Sequence, residues 1–258
     1  MLAPDGVELA VEVKGEGKPT TVFGHGLTGS RRDFQLVTDF LPGTRVLFDF
    51  RGHGESADPD PGAYSMERFA GDLDAVARAH DATCAAGISL GAGAILRLLS
   101  RDPGRFERVV LLQPARLDRS SEAHRRMQRL SDALRSLPLE AAVEEILRAE
   151  AAEGAFDEWG GQRQLRRENL LGLHRAAIPY AIEECIDDPP VADPALLRDV
   201  TAPAMVVAHE GDPVHDAGVA RELARALPIA ELLVFPSYRA LLEETPAVVQ
   251  KVGAFLAS

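Results

Sequence analysis

The stretch that most constrains this chain is Gly87-Ile88-Ser89-Leu90-Gly91. It follows Thr83-Cys84-Ala85-Ala86, which reads as the end of a buried strand, and it precedes Ala92 to Arg101, which reads as a helix. A Gly-x-Ser-x-Gly at a strand-to-helix junction implies a turn sharp enough to hold its serine in a strained backbone conformation. The flanking glycines are required because a side chain there would strike the adjoining strand or helix. Such a turn lifts the serine hydroxyl above a sheet, at a helix N-terminus where anionic charge is stabilised. Ser89 is therefore a candidate nucleophile, with a plain structural turn as the alternative.

Around this turn, strands alternate with helices. Val7 to Val13 alternates apolar and polar residues, and Lys14 to Pro19 is a turn. Short apolar runs at Thr20–Phe23, Arg45–Phe50, Phe106–Leu112, Ala204–Ala208 and Glu231–Phe235 read as buried strands. Met66 to His80 has helical spacing with Phe69, Leu73, Val76 and Ala77 on one face, and Gly218–Leu227 and Pro246–Leu256 also read as helices. The alternation predicts an α/β fold with a mostly parallel sheet, covered on both faces. After Ala115 the strand signal vanishes until about Leu197, in an Arg-, Glu-, Ala- and Leu-rich segment. The expected organisation is a core of residues 1–115 and 198–258 with a helical cap, residues 116–197, over the active end of the sheet. A length of 258 residues suits one such domain.

Four motifs in order make the chain resemble the α/β-hydrolase family over nearly its whole length, which implies a sheet of the eight-strand type. They are Gly24-His25-Gly26-Leu27 after one strand, Asp49-Phe50-Arg51-Gly52-His53-Gly54-Glu55-Ser56 after the next, the Ser89 turn, and Glu210-Gly211-Asp212-Pro213-Val214 after a later strand. The resemblance implies that Ser89 is the nucleophile, that the backbone amides of Leu27 and Leu90 form an oxyanion hole, and that Asp212 orients the catalytic histidine. His25 and His53 match loop-fixing positions. Asp212 alone could also cap the following helix.

The family places its base after the last strand, as His-x-x-x-x-Glu-x-Pro. Here Glu244 and Pro246 fall in register and the base position is Arg239. Arginine stays protonated and cannot act as a general base, and Tyr238, one position away, is too weakly basic near neutral pH. No histidine follows His215. His215, three residues after Asp212, is the candidate nearest a triad position, although it reads more readily as a helix-start residue of the acid loop. His174 of the cap is a second candidate and reads more readily as a solvated or locally bonded cap residue.

The leading expectation is a serine-dependent hydrolase acting on a small ester, lactone or amide, with a degenerate triad. The alternative is a non-hydrolytic or catalytically silent protein that binds a small ligand in the same pocket, anionic if Arg239 lies near Ser89. Arg116, Arg119, Arg125, Arg126, Arg129, Arg135, Arg163, Arg166, Arg167 and Arg175 crowd the cap. They could attract an acidic substrate, but a solvated face with pairs such as Glu122 with Arg126 is the preferred reading. Phe156, Trp159, Leu170, Leu171, Leu173, Ile178 and Tyr180 could line a pocket or form the core of the cap.

The net charge of −12 argues against nucleic acid or an anionic membrane as partner. Cys84 and Cys185 lack metal-ligand spacing, and no cofactor or metal is expected. No run approaches the length of a membrane span and the first residues lack a signal-peptide pattern, so a cytoplasmic protein is expected.

Overall fold

A computed structural model describes the chain except for residues 116–121, 154–159, 187 and 192. Arg116, Arg119, Phe156 and Trp159, singled out above, lie outside the described residues. The strands are β1 (Val11–Lys14), β2 (Thr20–Gly24), β3 (Thr44–Phe48), β4 (Cys84–Ile88), β5 (Arg108–Leu112), β6 (Ala204–His209) and β7 (Ala230–Phe235). They form one sheet in the order β1-β3-β2-β4-β5-β6-β7. β1 runs antiparallel to β3 and every other pairing is parallel. The α/β architecture is as expected, with seven strands among the described residues rather than eight. Ahead of β1, a tight turn bonds Ala3 N to Val7 O and Gly6 N to Ala3 O, with Gly6 at a φ of 90°. The residues on either side of it form an isolated bridge, Leu2 to Glu8.

Helices cover the sheet. α1 (Gln35–Thr38) leads towards β3. α2 (Met66–Ala79) and α3 (Leu90–Leu99) pack together against the central strands. α2 buries Phe69, Leu73, Val76 and Ala77, the face its spacing predicts. α3 begins at Leu90, directly after the serine, and buries nearly every residue. The small residues Ala85 and Gly87 of β4 let these helices approach closely, while Ala86 packs on the opposite face.

Between β5 and β6 the described chain forms α4 (Glu122–Ser136), α5 (Leu139–Ala152), α6 (Gly160–Leu171) and α7 (Ile178–Ile186). Leu130, Leu134, Val143, Leu147, Leu170, Leu173, Ile178 and Ile182 are buried among them. Leu170, Leu173 and Ile178 thus belong to the interior of this insertion. Its arginines are largely spoken for by acidic residues of neighbouring helices. Arg126 and Arg129 both reach Glu153, Arg135 reaches Glu183, and Arg167 reaches Glu144. These contacts cross between elements, where i,i+4 pairing is the expectation from sequence. The side chain of Glu122 is outside the described set. α8 (Ala217–Ala226), α9 (Tyr238–Glu243) and α10 (Thr245–Ala257) complete the chain.

The direction of strand addition reverses between β2 and β4, which are neighbours with Gly24 opposite Gly87. The loops that leave these two strands, at His25 and at Ser89, therefore open side by side at the carboxyl edge of the sheet. That crevice is where open α/β sheets bind ligands.

Candidate active site

Ser89 has φ 52° and ψ −108°, a conformation costly for a residue with a side chain. Its surroundings leave no alternative. A Cβ on Gly91 would lie 1.9 Å from the Gly24 carbonyl oxygen, and one on Gly87 would lie 2.4 Å from the Gly91 carbonyl carbon. These are backbone atoms, so neither position tolerates a side chain. The turn is pinned on both sides: Ser89 N donates to Leu112 O at 3.0 Å, and Gly91 N donates to His25 O at 3.0 Å.

Above the serine, the loop after β6 delivers two side chains. The Ser89 Oγ lies 3.0 Å from His215 Nε2, and His215 Nδ1 lies 2.9 Å from Asp212 Oδ2. With Nδ1–H donating to the carboxylate, Nε2 is left as an acceptor for the serine hydroxyl proton. His215 is not a helix-start residue. Asp216 caps α8, accepting from Gly218 N at 2.7 Å. Nor does Asp212 serve merely as a cap.

Asp212 is held by an unusual number of donors. Oδ1 accepts from the backbone N–H groups of Val214 and His215 at 2.8 and 2.9 Å. Oδ2 accepts from His215 Nδ1 and, at 3.3 Å, from Gln113 Nε2, and it lies 3.2 Å from His209 Nε2. Burial by itself would raise the pKa of this carboxyl. The bonds from His209 and His215 override that and hold it far below the ordinary carboxylate value.

The loop after β2 is fixed by histidines. Phe50 N donates to His25 Nε2 at 2.9 Å, so His25 carries its proton on Nδ1, which donates to Gly26 O at 2.8 Å. Burial, and next to it His53, push the His25 pKa well below its ordinary value and keep it neutral. Gly29 N bonds the same Gly26 carbonyl at 3.0 Å. In a trans peptide the C=O and N–H point opposite ways, so anchoring this carbonyl turns the Leu27 N–H away from His25. His53 Nε2 in turn lies 2.8 Å from Leu27 O.

Leu27, Leu90, Ser89 and His215 all line a cavity of about 820 Å³. Met66, Ile88, Met127, Leu165, Val214 and Tyr238 supply much of its apolar wall, and Asp33, Arg126, Glu150, Arg166, Glu210 and Asp212 its charges. Arg166 spans Glu150 (2.9 Å) and Thr28 Oγ1 (3.1 Å), joining the insertion to the loop that carries Leu27. Asp33 opens onto the cavity. Burial, offset only partly by the Ser30 amide, pushes its carboxyl up to about 6.

Arg239 is exposed on α9, its Nε 2.8 Å from Glu243 Oε1, and it does not line the cavity. The position in register with the family base is thus removed from the serine. His174 bonds Asp58 and Gly54 O, at 2.5 and 2.8 Å, as a locally bonded residue of the insertion.

A family model described as the Alpha/beta hydrolase family matches residues 21–250. The chain belongs to the alpha/beta hydrolase family. Solved members of similar structure include a hydrolase from Pseudomonas aeruginosa PA01, with a TM-score of 0.82 and 22% identity, covering 100% of this chain and 97% of that one. A thermophilic esterase from Thermogutta terrifontis has a TM-score of 0.79 and 22% identity, covering 98% and 94%. The enol-lactonase of Burkholderia xenovorans LB400 has a TM-score of 0.79 and 19% identity, covering 99% and 98%. At these identities the likeness is one of fold. No curated protein matches the chain by sequence.

Gln113 and His209 join the site without having stood out in the sequence. Each lies at or just past a strand end, Gln113 next to β5 and His209 at the end of β6, and such positions face the site edge in this fold. A histidine three residues before the family's acid was the available signal for His209.

Proposed function

We propose that the protein is a serine hydrolase of small carboxylic esters or lactones that uses Ser89, His215 and Asp212 as its triad. The observation that carries this is the bridging position of His215, within hydrogen-bond reach of both the Ser89 hydroxyl and the Asp212 carboxylate. Base and acid then come from one loop, three residues apart, instead of from two loops.

The chemistry follows from the geometry. As Ser89 Oγ bonds to the substrate carbonyl carbon, its proton passes to His215 Nε2. Asp212 keeps the Nδ1–H tautomer in place and balances the imidazolium charge. The carbonyl oxygen becomes an oxyanion held by the amides of Leu27 and Leu90, the latter at the first turn of α3. Collapse breaks the ester C–O bond, and the leaving alcohol takes the proton from His215. Water, deprotonated by the same nitrogen, then releases the acid and restores Ser89. The helices of residues 122–186 act as a cap, and the apolar wall they share with the core suits an uncharged acyl or alcohol group. The esterase and enol-lactonase names among the structural relatives are consistent with this substrate class.

The alternative, a silent ligand-binding protein, drew its support from Arg239. With Arg239 exposed and His215 in the base position, the observations favour hydrolysis. Labelling by a fluorophosphonate probe, together with hydrolysis of short p-nitrophenyl esters, tests the reading. Wild type should label at Ser89 and turn over, and Ser89→Ala should do neither. Wild-type rates at the Ser89→Ala background, with no labelling, would overturn it.

A further inference from the structure

We propose that Asp33 is a specificity-determining residue of the cavity and takes the protonated amine of a cationic ester or lactone. This rests on the hydrolase reading above and names a substrate class for it.

The arginine-rich insertion suggests an acidic substrate from its sequence, but in the folded chain its charges are turned to acidic partners. Of the arginines that line the cavity among the described residues, Arg126 pairs with Glu153 at 2.6 Å. Arg166 is held by Glu150, both of whose carboxylate oxygens accept from its Nε, at 3.2 and 3.3 Å. The other acidic residues of the wall are matched in the same way: Glu210 pairs with Arg221, and Asp212 faces His215.

Asp33 differs. It lines the cavity and makes no ion pair among the described residues; Arg166 acts on it only as a neighbouring charge. The nearby backbone amides of Ser30 and Gly26 favour its ionised form, but a carboxylate offers about four acceptor positions, so some are left for a ligand. Its place is kept clear by a glycine. A Cβ on Gly29 would lie 1.9 Å from Asp33 Oδ2, so the carboxylate occupies the space a side chain there would take. Gly29 follows Leu27 by two residues, which puts this charge at the oxyanion end of the cavity.

A carboxylate without a counter-ion, facing a largely apolar cavity, gains by meeting a ligand cation. The net charge of the chain, −12, adds a general attraction for positive substrates. An ammonium can then donate to Asp33 while the ester carbonyl lies at the amides of Leu27 and Leu90.

The test uses two pairs of esters matched in shape, one member of each carrying a tertiary amine that is protonated at neutral pH. Dimethylaminoethyl acetate is paired with isoamyl acetate, and ethyl γ-dimethylaminobutyrate with ethyl isoheptanoate. The charge is thereby offered on the alcohol side and on the acyl side. Hydrolysis followed by ¹H NMR gives kcat/KM for each. Wild type should favour the amine by about tenfold or more in at least one pair, and Asp33→Asn should abolish the preference. The ratio within a pair cancels any general change of activity in the variant. In wild type the same ratio should shrink as the pH falls through about 6, because the carboxylate is neutralised while the amine stays charged. That measurement needs no variant and decides the matter if Asp33→Asn does not fold. No preference in either pair, or one that survives Asp33→Asn, overturns the proposal. Calorimetric binding of the same esters to Ser89→Ala repeats the comparison without turnover, and equal binding within both pairs overturns it too. Absent hydrolysis and labelling therefore sink the serine-hydrolase reading alone, and normal hydrolysis without a preference that depends on Asp33 sinks this one alone.

Discussion

Replacing His215 by alanine separates chemistry from fold in this protein. The substitution removes the acceptor 3.0 Å from Ser89 Oγ and one of the donors to Asp212. Asp212 keeps the backbone N–H groups of Val214 and of residue 215, together with His209 and Gln113. The imidazole is partly exposed, at 19% of its side-chain surface, so little apolar packing is lost. One hydrogen bond to a charged acceptor at such a site is worth about 1–2 kcal/mol, or a fall in Tm of about 2–8 °C. Loss of a triad member costs about 10⁴- to 10⁶-fold in kcat, equivalent to about 5–8 kcal/mol of transition-state stabilisation. The catalytic loss thus exceeds the stability loss severalfold. Initial rates on a p-nitrophenyl ester and thermal unfolding followed by circular dichroism measure the two separately. Arg239→Ala serves as the contrast and should leave kcat unchanged. Retention by His215→Ala of more than about a tenth of wild-type kcat, against an expected loss of several orders of magnitude, would refute the assignment of the base. So would a large loss in Arg239→Ala.

Three further outcomes are expected. Gly91→Ala places a methyl group against the Gly24 carbonyl oxygen and should cost about 3 kcal/mol or more, lowering Tm on the order of 10 °C; guanidinium unfolding curves check it. His25→Ala frees the Gly26 carbonyl and so the orientation of the Leu27 amide; kcat should fall about 10²-fold, read from saturation kinetics with Ser89 intact. Asp212 has a folded-state pKa below its ordinary value of 3.8. Its ionisation therefore adds stability that is present above that value and lost as pH falls below it. The stability gap between wild type and Asp212→Asn, measured by urea unfolding, should narrow across that acid range; a gap independent of pH would contradict the sign.

Much of this molecule was legible in its residues because the determinants are local. Gly87 and Gly91 flank a serine at a strand end, and the clash that excludes side chains there arises from atoms a few residues or one neighbouring strand away. The helical face of Phe69, Leu73, Val76 and Ala77 follows from a repeat read along the chain. Motif order carried the rest of the topology.

The proposed base was only partly legible: His215 stood as one of two candidate histidines but read more readily as a helix-start residue. Counting along the chain pointed to Arg239, because a pattern ahead of the last helix assumes that the loop after β7 reaches the serine. In the folded chain that position is exposed, and the ring that does reach Ser89 comes from the loop after β6. By itself the sequence determined the sheet, the strained turn and the sheet edge that carries the candidate site, through short-range sterics and hydrophobic periodicity. Which imidazole meets the Ser89 hydroxyl was decided only by tertiary structure. A hydrogen bond needs two atoms within about 3 Å, and for residues 89 and 215 that distance is set by how strands β4, β5 and β6 lie side by side.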